Sequence, residues 1–201
     1  MAKYPKLTED QFPPHCFSER RRYLDLILEN PDGYPRKGYD PRSLLDSWYA
    51  YWMGRPYVKS TGTVQWFNHR ELALPRLRDA VKSMHYISKD AWDVLTERAP
   101  PQRLMKDHAV PVKVLRREIK TKRFATIGQL EQFLIDRYRV GVITKTEDVR
   151  LGKVFKDEMP RDASSEYARY RDSRVTIERS TEHLEWLRSR TETWKPLPLI
   201  G

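Results

Sequence analysis

The stretch that decides the fold reads Val112-Lys113-Val114-Leu115-Arg116-Arg117-Glu118-Ile119-Lys120-Thr121-Lys122-Arg123. Val112, Leu115 and Ile119 recur at i, i+3 and i+7, the period of one inward helix face. Lys113, Arg116, Arg117 and Lys120 recur at i, i+3, i+4 and i+7 on the other side, a basic row about two turns long. Lys122 and Arg123 extend it, and only Glu118 interrupts it. Like charges at these spacings repel one another mildly. Phosphates of a partner would relieve that repulsion and release counterions. Between Pro111 and Arg139, eight basic residues stand against three acidic ones, a surplus of five and so half of the chain's net charge of +10. The functional expectation is that Lys113, Arg116, Arg117, Lys120, Lys122 and Arg123 contact nucleic-acid phosphates. The competing expectation is a solvated face neutralised by Glu131, Asp136 or another acid of the fold.

Working outward, Thr126 to Tyr138 reads as a second helix, and Val140-Gly141-Val142-Ile143-Thr144 as the best strand candidate. Thr146 caps a helix to about Asp157, Ala163 to Asp172 is helical, and Arg174 to Glu178 alternates like a short strand. Ser180 opens a last helix, and Trp194 to Gly201 is a proline-containing tail. Toward the N-terminus, Ser88 caps a helix from Lys89 to about Arg98, with Trp92 and Leu95 inward. The pattern around Pro75 predicts two helices, Val64–Ala73 and Pro75–Met84, after a loop from Arg55 to Gly62. Asp40-Pro41 combines a capping carboxylate with proline at the first helical position. The helix it starts runs to about Met53 and places Leu44, Leu45, Trp48 and Trp52 on one core-facing side. Ser18 caps a helix to about Asn30, ended by Pro31-Asp32-Gly33, with Arg20-Arg21-Arg22 as a solvated first turn. Met1 to Cys16 is an irregular arm.

The fold class predicted is mainly α with one or two short strands, a helical domain with irregular arms at both ends. Ala99-Pro100-Pro101 is the clearest break. If there are two parts, they are an aromatic-rich helical part at 1–99 and a basic helical part at 100–201. With 201 residues, 11% aromatic, 39% hydrophobic and 33% charged, the chain reads as folded rather than disordered. The single cysteine, Cys16, excludes an intrachain disulfide and a multi-cysteine zinc site. No stretch approaches the ~18 apolar residues of a bilayer span, and the first residues lack the apolar run of a secretory signal. The expectation is a cytoplasmic protein (nuclear if the host has a nucleus), with no membrane partner.

Asp107-His108-Ala109-Val110-Pro111 resembles the opening of the HNH nuclease motif, an Asp-His pair followed by a hydrophobic residue and proline in a ββα-metal site. The resemblance covers five residues. It implies His108 as a general base activating water for phosphodiester attack and Asp107 as ligand to Mg²⁺ or Mn²⁺. The family's downstream Asn and second His have no counterpart, since His183 alone follows His108 and the last Asn is Asn68. Asp107 with Glu118-Ile119-Lys120 also resembles the Asp…Glu-x-Lys pattern of PD-(D/E)xK nucleases. That pattern needs Glu118 and Lys120 to point one way on a strand, whereas on a helix they diverge by about 200°. The plainer expectation for Asp107-His108 is a loop pair before a helix, with His108 held structurally.

Three functions are consistent with these residues. The first is a DNA- or RNA-binding protein of nuclease ancestry. The second is a subunit or inhibitor within a protein complex, its basic helix docking on an acidic surface. The third is a metal-dependent phosphodiesterase acting through Asp107 and His108.

Overall fold

In the computed structural model, residues 12–33, 39–52, 57–58, 64–65, 84–161 and 165–185 are described. The fold is mainly α with a minor β component. By internal contacts it divides into two units. The first draws its described residues from Met1–Asn68 and Arg116–Ile135, the second from His69–Leu115 and Asp136–Thr193.

The first unit is built on α1 (Phe12–Glu29) and α2 (Pro41–Trp52). α1 starts seven residues earlier than the Ser18 cap predicts. Pro13 and Pro14 fall in its first turn, where N–H groups have no intrahelical acceptor, so the helix loses no bond to them. α2 starts as read: Asp40 Oδ1 accepts from the Ser43 amide at 3.1 Å and Oδ2 from the Ser43 hydroxyl at 2.6 Å. Leu24 and Ile27 of α1 and Leu44, Leu45 and Trp48 of α2 are buried. Tyr23 stacks on Tyr51 with ring centroids 5.7 Å apart. Tyr49 of α2 is buried as well, while Trp52 is half-buried. A ribbon of β1 (Tyr57–Val58) and β2 (Val64–Gln65) pairs antiparallel. Val64 thus opens a strand where a helix was predicted, since β-branched Val suits a pleated pair. Residues 66–83, and with them nearly all of the two helices predicted around Pro75, lie outside the described residues.

The triplet Arg20-Arg21-Arg22 does not form a solvated turn. Arg20 is fully buried, its Nε 3.1 Å from Glu131 Oε1. Trp48 Nε1 donates to the same oxygen at 3.2 Å. Arg21 and Arg22 are exposed as expected, Arg22 beside Glu19.

The second unit is built on a three-stranded sheet of β3 (Tyr86–Ile87), β4 (Leu104–His108) and β5 (Val140–Thr144), in the order β3-β5-β4. β5 is central, parallel to β3 and antiparallel to β4, with His108 opposite Val140 and Leu104 opposite Thr144. Every residue of β5 is buried. Gly141 is required there because a Cβ would run into the Tyr86 ring. α3 (Lys89–Leu95) is capped by Ser88, whose Oγ accepts from the Ala91 amide, and ends three residues short of expectation, with Glu97 at positive φ. α6 (Lys145–Val154) is capped by Thr144, not Thr146. Thr144 and Glu147 form a capping box, and the buried Glu147 carboxylate also accepts from Ser88 Oγ at 2.6 Å. α7 (Ala168–Asp172) closes a core of Tyr86, Ala109, Ile143, Leu151, Tyr170 and Val175. Arg174 to Glu178 yields one antiparallel bridge, Ser88 to Ile177. Ser180 Oγ accepts from the His183 amide at 3.2 Å and caps a helical turn over 181–185.

α4 (Val112–Lys122) and α5 (Ile127–Arg137) match their readings closely. Thr126 Oγ1 accepts from the Gln129 amide at 3.2 Å at the start of α5. The Ala99-Pro100-Pro101 break is a connection within the second unit: β3 before it and β4 after it share one sheet. No helix among the described residues is long and apolar enough to cross a membrane.

Candidate nucleic-acid interface

α4 buries Val114, Leu115 and Ile119. Its opposite side carries Lys113, Arg116, Arg117 and Lys120 as predicted, with Lys113, Arg117 and Lys120 exposed. The row is not bare. Asp32 takes two of its four cations: Arg116 Nε lies 3.2 Å from Asp32 Oδ1, and Lys120 Nζ closes on Oδ2. The neutralising acid is neither Glu131, which is occupied by Arg20 and Trp48, nor one on α4 itself.

Asp32 is placed by the turn that ends α1. Asn30 accepts the Gly33 amide at its carbonyl, 2.8 Å away, and donates its side-chain amide to the Gly33 carbonyl at 2.7 Å. Gly33 sits at φ +76°, where a side chain would meet the Tyr39 carbonyl. The hydrogen bond from Lys120 holds the Asp32 carboxyl below its ordinary value, and the charges of Lys120 and Arg116 add to this.

Among the described residues, no carboxylate stands within ion-pair distance of Lys113, Arg117 or Arg123. Arg123 ends the helix in the left-handed region at φ 48°. Lys122 does not continue the row. Nine residues beyond Lys113, it has turned about 180° around the helix, and its ammonium lies 5.7 Å from the centre of the Phe133 ring. Phe133 in turn packs on Phe124 at 5.1 Å.

Asp107 and His108 occupy the end of strand β4 rather than a loop, so successive side chains leave opposite faces. Asp107 Oδ2 accepts from Arg169 Nη2 at 2.7 Å and from the Tyr170 hydroxyl. Tyr86 donates to the Asp107 carbonyl at 3.1 Å and its hydroxyl touches that of Tyr170. Burial pushes the Tyr86 and Tyr170 phenols well above their ordinary value, and the Asp107 carboxylate pushes them further. Burial works against the Arg169 charge, yet Asp107 and the two phenols together raise its pKa. On the other face, His108 Nε2 meets the Tyr138 hydroxyl at 3.1 Å, with the rings edge to face.

The chain matches no family model, no curated protein and no solved structure.

The two residues of the HNH-like segment therefore do not converge on one reacting atom. The donor set around Asp107 does not suit Mg²⁺ or Mn²⁺ either: the carboxylate already neutralises a buried guanidinium, and among the described residues no three His, Cys, Asp or Glu side chains gather as ligands. Glu118 and Lys120 sit on a helix, so the Asp…Glu-x-Lys arrangement is not assembled.

Sequence reasoning missed Asp32, Arg169 and Tyr170. Asp32 carried one readable cue, a carboxylate in a Pro-Asp-Gly turn fixed by its neighbours. Arg169 and Tyr170 lie more than sixty residues from Asp107 and carried none.

Proposed function

We propose that this chain binds nucleic acid by its phosphates through the outward side of α4. The observation that carries the reading is one helix surface with four cations in register, two of which share Asp32, the one carboxylate paired with the row among the described residues. Arg116 and Lys120 share Asp32, while Lys113, Arg117 and Arg123 project cations at the surface. The reading assigns binding and no hydrolytic step, because Asp107 and His108 are each committed to partners on opposite sides of β4. It is compatible with a protein of the cytoplasm or nucleus.

The test leaves Arg116 and Lys120 alone, since a glutamate there would face Asp32. Lys113→Glu, Arg117→Glu and Arg123→Glu are combined, and binding to labelled 20-nucleotide strands and duplexes is followed by fluorescence anisotropy. Affinity should fall at least about tenfold at moderate salt, with the thermal melt unchanged. Equal affinity of the triple variant and the parent would overturn the reading.

A further inference from the structure

The end of α4 carries more than charge. The row Arg116, Lys120 and Arg123 leads to the point where the helix stops, with Arg123 in the left-handed region. There the chain presents Phe124, half-buried, packed on half-buried Phe133 of α5 at 5.1 Å and 43°. Lys122 stands over the Phe133 ring at 5.7 Å. All these groups belong to the first unit. Among the described rings of that unit, Tyr23, Trp48, Tyr49 and Tyr51 are buried, while Tyr39 and Trp52 are half-buried. Phe124 and Phe133 stay partly open beside exposed cations, a setting in which full burial elsewhere would stabilise them more.

Aromatic faces interleaved with backbone-tracking cations are what a single strand uses and a duplex does not. Bases of a duplex are already stacked on one another, whereas an unpaired base can stack on a ring. A cation beside the same ring can meet the phosphate of that nucleotide. We infer that the polymer taken by α4 is single-stranded, with one unpaired base stacking on the Phe124–Phe133 step while its phosphates meet Arg117 and Arg123. This inference rests on the phosphate-binding reading above and adds to it the strandedness of the ligand.

The experiment uses the full chain and four probes of one mixed sequence: single-stranded DNA, single-stranded RNA, and the duplex of each. Binding is measured for the parent, for Phe124→Leu, for Phe133→Leu, and for the triple variant Lys113→Glu, Arg117→Glu, Arg123→Glu. The expected result is single strands bound about tenfold tighter than duplexes at equal salt, with each leucine variant losing about tenfold on single strands and nothing on duplexes. The two single-strand arms show whether the sugar matters. Equal affinity of the parent for strands and duplexes overturns the inference even if a leucine variant fails to fold. So does a strand preference that both folded leucine variants retain. If the leucine variants are neutral while the triple variant loses all probes, the stacking inference fails and phosphate binding stands. If the triple variant binds like the parent, both fail.

Discussion

Asp32 shows how one side chain can set the strength of a charged surface. Its two oxygens pair with Arg116 and Lys120, the places that phosphate oxygens would take in the proposed reading. Asp32→Asn should free both cations and raise affinity for a polyanion, with the plot of log affinity against log salt steepening by about one unit for a single strand. A titration of the variant at three salt concentrations checks this. The carboxyl is titrated lower in the folded chain than in the unfolded one, so its pairs help the fold above the unfolded value of about 3.9 and stop helping as pH falls through the lower folded value. Because the group is exposed, the melt of Asp32→Asn should differ little from the parent at neutral pH. The opposite holds for Arg20 and Glu131, both buried. Arg20→Met alone takes the guanidinium from the buried Glu131 carboxylate and should cost about 3–5 kcal/mol in a denaturant melt. Adding Glu131→Gln removes that charge and keeps an acceptor for Trp48, so the double variant should recover most of the loss. A double variant as unstable as the single one would mean that the guanidinium's packing, not the pair, supplies the stability.

At the scale of elements, what was legible in the sequence is what depends on neighbours in sequence. The start of α2 at Asp40-Pro41, the Ser88 cap, the inward residues of α4 and the β-branched run of β5 all lie within a few residues of their cause. β4 was not legible, because Leu104-Met105-Lys106-Asp107-His108 has little β-propensity and becomes a strand through its ladder with β5. Asp107-His108 was read as a loop pair for the same reason: only the strand tells that the two side chains diverge. The Thr144 cap was displaced by two residues because Thr144 and Thr146 look alike until Glu147 selects the one three residues before it. β4 and α7 are joined by Asp107, Arg169 and Tyr170, with Tyr86 from β3 beside them, which gives the sheet a pH limit. Tyr86 and Tyr170 ionise less readily when folded, so their contribution is complete below about pH 10 and is lost as pH rises toward the folded values. In an alkaline titration read at the phenolate absorbance, Tyr86 and Tyr170 should be among the tyrosines that stay protonated past that pH and should ionise together with loss of the circular-dichroism signal. Phenolate appearing for every tyrosine while the fold persists would contradict the burial assigned to this pair.

For the whole molecule the question is whether a net charge of +10 binds polyanions by bulk attraction or through a placed surface. The two give different salt dependence. Lys113, Arg116, Arg117, Lys120 and Arg123, less the charge held by Asp32, leave about four phosphate contacts, so log affinity for a single strand should fall with log salt at a slope of about −3. The Lys113→Glu, Arg117→Glu, Arg123→Glu variant should flatten that slope to about −1, since three contacts are lost. The decisive comparison reverses the same number of charges elsewhere. Lys153, Lys156 and Arg161 are exposed and lie in the second unit. Their replacement by glutamate lowers the net charge of the chain by as much as the α4 variant does. Bulk attraction predicts equal losses of affinity and equal changes of slope for the two variants, because each reverses three surface cations. A placed surface predicts that the Lys153, Lys156, Arg161 variant keeps a slope near −3, since the three cations it lacks never displaced counterions from the bound strand.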